Sequence, residues 1–259
     1  MSRIDRLIGL ARSLAIYHGI AGRQRRFRQF YASLVEPGDL VFDIGAHAGN
    51  RTRALATLGC RVLAVEPQPD FTRLLHWLFR GHANVTVLDC AVADRPGRAT
   101  LAISQRTPTV TTLAPAWLAA RAAEPGFSGV RWNERVDVET TTLDRLIAQH
   151  GVPRLVKIDA EGSDPAILAG LSHPVEYVSF EFLPPAVDAA EQCVRRLNEI
   201  GRYRFNCLMG EGTSFVSERW QGEAEVLETL RSLNRQFRAV DVYARCEPAA
   251  RGDVGQTAP

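Results

Sequence analysis

From Leu40 onward the chain repeats one grammar: a short, mostly apolar run, a polar turn, then a stretch with helical spacing. Leu40–Ile44, Arg61–Val65 and Val85–Leu88 read as strands, with helices over 50–58 and 70–80 between them. The pattern resumes with a strand at 154–158, a helix at 163–169 and a strand at Tyr177–Phe182. Apolar runs that do not alternate with polar residues belong to strands covered on both faces. Strands that alternate with helices imply right-handed βαβ units around a parallel sheet. The fold class predicted is therefore α/β, a Rossmann-like sheet with helices on both faces. Two late strand-like stretches, 203–208 and 240–245, bracket an acidic helix at about 222–236 and suit an antiparallel edge.

Two regions depart from the grammar. Residues 1–35 read as an N-terminal helical cap with two helices, over 2–16 and about 23–35. The first carries Ile4, Leu7, Ile8, Ala11, Leu14 and Ala15 as an apolar stripe, and the second is rich in arginine. The stripe needs a partner surface: the main domain beside the cofactor mouth, or a second copy in a homodimer. A membrane surface or a substrate lid are the other readings. Within a main domain at 36–247, residues 92–141 read as an insertion with extra β structure. Residues 248–259 read as a loose tail.

The strand ends carry the chemistry. The block 41–50 reads Val-Phe-Asp-Ile-Gly-Ala-His-Ala-Gly-Asn, an apolar strand that ends in Asp43 and a turn with Gly45, Ala46, His47 and Gly49 before a helix opens at Asn50. Glycines there let backbone approach a ligand at the carboxyl end of the first strand. About 20 residues on, a second strand ends in Glu66-Pro67, where a carboxylate accepts both hydroxyls of a ribose. A third ends in Asp89-Cys90-Ala91, with Asp89 placed to bond an adenine amino group. Three acids on successive strand ends describe a nucleoside pocket. Asp43 would repel a pyrophosphate and suits a cationic, amine-bearing ligand, which points to S-adenosylmethionine (SAM). His47 has three readings: a partner for the cofactor carboxylate, a catalytic base, or a helix cap.

The block 156–165, Val-Lys-Ile-Asp-Ala-Glu-Gly-Ser-Asp-Pro, ends another strand in three closely spaced acids. Helix capping accounts for only one of them. Asp159 and Glu161 are the candidate catalytic residues, with Asp159 as base and Glu161 as acceptor of a substrate hydroxyl. With Glu181 on the next strand they also offer oxygen ligands for Mg²⁺, and a carboxylate base without metal fits equally well. Lys157, the only lysine, either snorkels or pairs with an acid. His173 is a weaker candidate. Trp117 and Trp132 in the insertion are candidate sugar platforms.

Together these blocks resemble the FkbM family of SAM-dependent methyltransferases over about residues 36–183. His47 stands where the family usually has Asn, and Asp164 where Glu is usual; both keep hydrogen-bonding capacity. The resemblance implies the class I methyltransferase sheet of seven strands. It also implies O-methylation of a hydroxyl on a sugar, an oligosaccharide or a glycosylated natural product, with a polyketide hydroxyl as the alternative.

Other classes fit less well. The net charge of +2 on 259 residues gives no broad nucleic-acid footprint. The turn at 182–186, Phe-Leu-Pro-Pro-Ala, lacks the amide and aromatic platform of nucleic-acid amino methyltransferases. There is no Walker lysine and no Tyr-x-x-x-Lys pair for a dehydrogenase. A non-catalytic binding module on the same scaffold remains the reading from another class. Five widely spaced cysteines form neither a disulfide framework nor a zinc site, which points to a reducing, cytoplasmic compartment. No run is long enough to make an integral membrane protein.

Overall fold

The computed structural model describes residues 3–183, 186–210, 212–232 and 239–247. The chain begins with α1 (Arg3–His18) and α2 (Arg23–Tyr31), then enters β1 (Leu40–Ile44), α3 (Asn50–Thr57), β2 (Arg61–Val65), α4 (Pro69–Phe79) and β3 (Val85–Leu88). The insertion follows: β4 (Ala91–Val92), β5 (Gly97–Ile103), α5 (Pro115–Ala122) and β6 (Glu134–Thr141). The second half runs α6 (Leu143–His150), β7 (Leu155–Ile158), α7 (Asp164–Ala169), β8 (Tyr177–Phe182), α8 (Val187–Ile200), β9 (Tyr203–Met209), α9 (Glu223–Ser232) and β10 (Val240–Cys246).

Seven strands form one sheet in the order β3-β2-β1-β7-β8-β10-β9, the class I methyltransferase arrangement. Strand alternation explains how it is covered. Phe42, Val156, Val178 and Val242 point into one apolar cluster, built with Leu168 of α7, Val194 of α8 and Leu230 of α9. Their neighbours Val41, Leu155, Tyr177 and Tyr243 point into another, with Phe27 and Tyr31 of α2 and Leu55 of α3. Successive side chains of a strand face opposite ways, so the central strands are apolar on both faces over most of their length. That is why these runs looked continuous in the sequence.

Three features differ from the sequence expectation. Only β10 is reversed; it lies between β8 and β9 and is antiparallel to both. The reversed strand is thus interior, as the continuous burial of Val240–Ala244 requires. Helices α6 and α8 were not anticipated. In α8 the buried residues Ala190, Cys193, Val194 and Leu197 carry an available helical signal; in α6 the start is set by Thr142, whose hydroxyl accepts from Arg145 N at 3.2 Å, inside a threonine run. The acidic helix is described only to Ser232, and the tail beyond Glu247 lies outside the described residues.

The third difference concerns α1. Its expected apolar stripe faces outward: Ile4 and Leu7 are each 65% exposed and Ile8 42%. The helix docks by another face. Gly9 lies against the carbonyl of Gln105, Ser13 is buried, and Arg6 donates to Asp70 of α4 at 2.9 and 3.2 Å. Small residues permit the close approach, and ion pairs hold it. Among the described residues, no helix is long and apolar enough to cross a membrane. The insertion strands form their own sheet, β4-β6-β5, which packs beside the main one.

Gly45 sits where the two halves meet. It adopts φ +79°, and a Cβ there would lie 2.0 Å from the carbonyl oxygen of Asp159. A side chain would therefore meet left-handed strain and a backbone clash together. Gly45→Ala is expected to cost about 2 kcal/mol or more, measured as a lower midpoint in urea unfolding.

Candidate functional site

The strand order changes direction between β1 and β7, and open α/β sheets bind ligands outside the carboxyl ends of strands at such a point. A cleft opens there, lined by Asp43, Gly45, Ala46, His47, Asn50, Glu66, Pro67, Cys90, Ala91, Asp159 and Glu161. The β1 loop is pinned across it: Gly45 N and Ala46 N both donate to Val65 O, at 2.8 and 3.1 Å. Eleven of the predicted site residues are thus brought together by one loop crossing and three strand ends.

Glu66 is 5% exposed. Its Oε2 accepts from His47 N and its Oε1 from Gln68 N, both at 2.8 Å. Burial pushes its carboxyl up to about 7, against the pull of those two N–H groups. Each oxygen keeps a second lone pair for a ligand hydroxyl. His47 holds φ +46°, stacks on Phe71 at 3.9 Å and meets the edge of Tyr17 at 5.1 Å. Burial pulls its imidazole down to about 4, so it is neutral at pH 7. Its Nε2 is buried without a hydrogen-bond partner, and so is the hydroxyl of Thr111. Both residues line the cleft, and such orphaned polar atoms suit a polar ligand.

Deeper in, Asp43 of β1 and Lys157 of β7 are register partners, each 1% exposed. Asp43 accepts from the Thr52 hydroxyl at 2.6 Å. Lys157 Nζ lies 3.0 Å from Asp159 Oδ2. Burial opposes the charge of Lys157, but Asp159 and Asp241 outweigh it and raise its pKa. The pair also settles Asp159: burial works against the carboxylate, yet Lys157 prevails and holds it below the ordinary range. Lys157 therefore pairs with an acid and does not snorkel.

Asp159, Glu161 and Glu181 each place a carboxylate oxygen within 4.8 Å of the others. Glu161 and Glu181 are raised well above the ordinary value, first by burial and then by Asp159. Two neighbouring acids cannot both ionise freely beside a third that already has. Glu161 stands on a strained turn with φ +46°, and Thr112 Oγ1 donates to its carbonyl at 2.7 Å. Asp164 is pushed up to about 7 by burial and by Asp159, and its Oδ1 accepts from Glu181 N at 3.1 Å.

Several residues fall elsewhere. The Asp89 side chain is 62% exposed and bonds His76 Nε2 at 2.9 Å, so it turns to the surface instead of facing the nucleoside cleft. Gly49 does not line the cleft; with φ +73° it opens α3 and presses on Leu75 and Phe79. His173 is exposed beside Asp144 and is not among the cleft's lining residues. Trp117 lies over Gly162 and meets Phe127 and Trp132 edge-on at 6.2 and 6.4 Å, which puts the insertion's aromatic cluster next to Glu161. Sequence reading missed Tyr17 and Thr111, both in the lining. Tyr17 lies off the apolar stripe of α1, so no periodic signal marks it.

Residues 43–237 match the family profile described as Methyltransferase FkbM domain. No curated protein sequence matches the chain. Among solved structures it is similar to a TehB-like SAM-dependent methyltransferase from Corynebacterium glutamicum (12% identity, 91% of this chain and 94% of that one, TM-score 0.44). It is also similar to an O-methyltransferase from Bacillus cereus in complex with SAH (12% identity, 92% and 90%, TM-score 0.44).

The raised carboxyls make a pH prediction. Glu66 and Asp164 sit at about 7 in the folded chain, above their values when unfolded. Their contribution to stability is complete below the ordinary carboxylate range and is lost as pH rises through about 7. For Glu66 the change is on the order of 3 kcal/mol. The ligand-free protein is expected to melt at progressively lower temperature across that interval in calorimetry. Glu66→Gln should flatten part of the slope.

Proposed function

This chain belongs to the FkbM methyltransferase family and is a SAM-dependent methyltransferase, and from that premise we propose that it methylates a hydroxyl of a sugar, an oligosaccharide or a glycosylated natural product. The observation that carries the reading is the cluster of Asp159, Glu161 and Glu181 beside the cofactor cleft. Neighbouring carboxylates accept hydrogen bonds from hydroxyls, and one of them can take the hydroxyl proton. The Trp117 and Trp132 cluster next to Glu161 supplies flat apolar surface of the kind a sugar ring packs against.

SAM supplies the methyl group on its sulfonium. In this reading Glu66 accepts the ribose hydroxyls, and backbone at Gly45–Ala46 approaches the cofactor closely. The orphaned His47 Nε2 and Thr111 hydroxyl complete its polar contacts. Cys90, between β3 and β4, and Ala91, the first residue of β4, form the adenine side of the pocket. Neutral His47 is a binding group here, because an imidazole pulled down to about 4 is a weak base.

The base follows from the charge arrangement. Lys157 keeps Asp159 ionised, so Asp159 is the fixed negative partner. Glu161 lines the cleft, and burial, then Asp159, hold its carboxyl well above the ordinary range, so its carboxylate is a stronger proton acceptor than an ordinary one. We therefore assign Glu161 as general base and Asp159 as the group that tunes it, the reverse of the sequence assignment. A second reading rests on the oxygen spacing. Three hard donors within 4.8 Å fit Mg²⁺; Asp159, Glu161 and Glu181 would hold it, and the ion would lower the pKa of a bound hydroxyl.

Turnover of labelled SAM over a panel of sugars and oligosaccharides tests the substrate class. Transfer to none of them, but to an amine, would overturn it. Glu161→Gln is expected to lower kcat by about a hundredfold or more with cofactor affinity intact, and near-normal turnover would remove Glu161 from the mechanism. Chelation by EDTA separates the two readings: undiminished turnover supports the carboxylate base, and loss restored by Mg²⁺ supports the metal. Glu66→Ala should weaken SAM binding by roughly tenfold or more in calorimetry, since each charge-assisted hydrogen bond contributes about 1.5–3 kcal/mol.

A further inference from the structure

We propose that the outward face of α1, with the adjoining surface of α4, docks on an anionic lipid bilayer. The helix is held to the protein by Gly9, Ser13 and Arg6. Its opposite side presents Leu7 and Ile8, 65% and 42% exposed, with Ala11 and Ala15 exposed on the same stripe. An amphipathic helix normally buries that stripe; this one turns it to solvent. The face extends beyond one helix. Leu7 and Leu10 share a groove with Asp70 and Arg73 of α4, and Trp77, 61% exposed, stands one turn beyond Arg73. An apolar helix stripe, a solvent-facing tryptophan and flanking arginines are the composition of a helix lying in a membrane interface.

Charge selects the occupant. Residues 1–35 carry seven arginines against one acid, Asp5, although the whole chain is only +2. Arg12, Arg25, Arg26 and Arg80 are all exposed. A second copy docked by the same face would bring two arginine-rich segments together, because a two-fold interface is self-complementary. Anionic headgroups neutralise the same segment instead. The consequence reaches the site: α1 also contributes Tyr17 to the cleft, so one wall of the cofactor pocket would rest at the bilayer.

The test is flotation of the full chain with phosphatidylglycerol vesicles and with phosphatidylcholine vesicles. Binding to the first and not the second, reversed by salt, is expected. The triple variant Leu7→Ser, Ile8→Ser, Trp77→Ser should bind phosphatidylglycerol vesicles roughly tenfold more weakly or worse, with unchanged SAM affinity and melting temperature. Arg12→Glu alone should weaken binding by about fivefold or more. No binding at low ionic strength, or equal binding by the triple variant, would overturn the proposal. So would a dimer in ultracentrifugation that the triple variant dissociates, which would assign the face to a second copy.

Discussion

One buried cation makes the acid-lined end of this sheet tenable. Lys157 is 1% exposed, sits level with Asp43 on the neighbouring strand and pairs with Asp159 at 3.0 Å. Around it lie Asp43, Asp159, Glu161, Asp164, Glu181 and Asp241, all drawn from strand ends or the turns that follow. Six carboxylates in one partly dry region cannot all ionise. Lys157 holds one of them, Asp159, below the ordinary range despite its burial, and burial, then that charge, raises Glu161, Asp164 and Glu181. The site thus separates into one fixed anion and several neighbours whose affinity for a proton is raised. A family of acids with spread pKa values is what proton-transfer chemistry at neutral pH requires.

The walls around that charge come from different sources. The sheet supplies the floor and the backbone loops, and its positions are fixed by the two apolar clusters on either face. The insertion supplies Thr111, Thr112 and the aromatic group near Glu161. The N-terminal helix supplies Tyr17. The cleft is thus a composite: strand ends and the loops that follow them line most of it, and the insertion and α1 close it with Thr111 and Tyr17.

The legible part of the sequence was the part governed by strand physics. A parallel strand buried on both faces is mostly apolar, so an acid at its end is conspicuous, and Asp43, Glu66 and Asp159 all line the cleft. Side-chain direction was less legible. Asp89 has the right position on the chain but turns to His76, because an exposed strand end leaves its rotamer to local partners. The α1 stripe was legible as apolar, and within the chain it faces outward. Its docking depends on Gly9, Ser13 and the Arg6–Asp70 pair, none of which has a periodic signature. Gly49 looked like a ligand-contacting glycine and proved to be a turn position forced by Leu75 and Phe79.

The stretch from Lys157 to Asp164 shows why so few residues can carry so much of the site. Lys157 and Asp159 are two apart, so strand alternation puts both on one side of the sheet while Ile158 enters the core on the other. The strand then stops, and Glu161 takes a left-handed conformation with Gly162 behind it. That turn swings the Glu161 side chain back toward Asp159. Without it the next acid would be carried onward into α7, as Asp164 is. Gly162 has no room for a side chain, since Trp117 covers it. The order lysine, acid, acid, glycine is therefore one geometric device: a strand that pairs a cation with an anion, followed by a turn that brings a second acid within reach of the first.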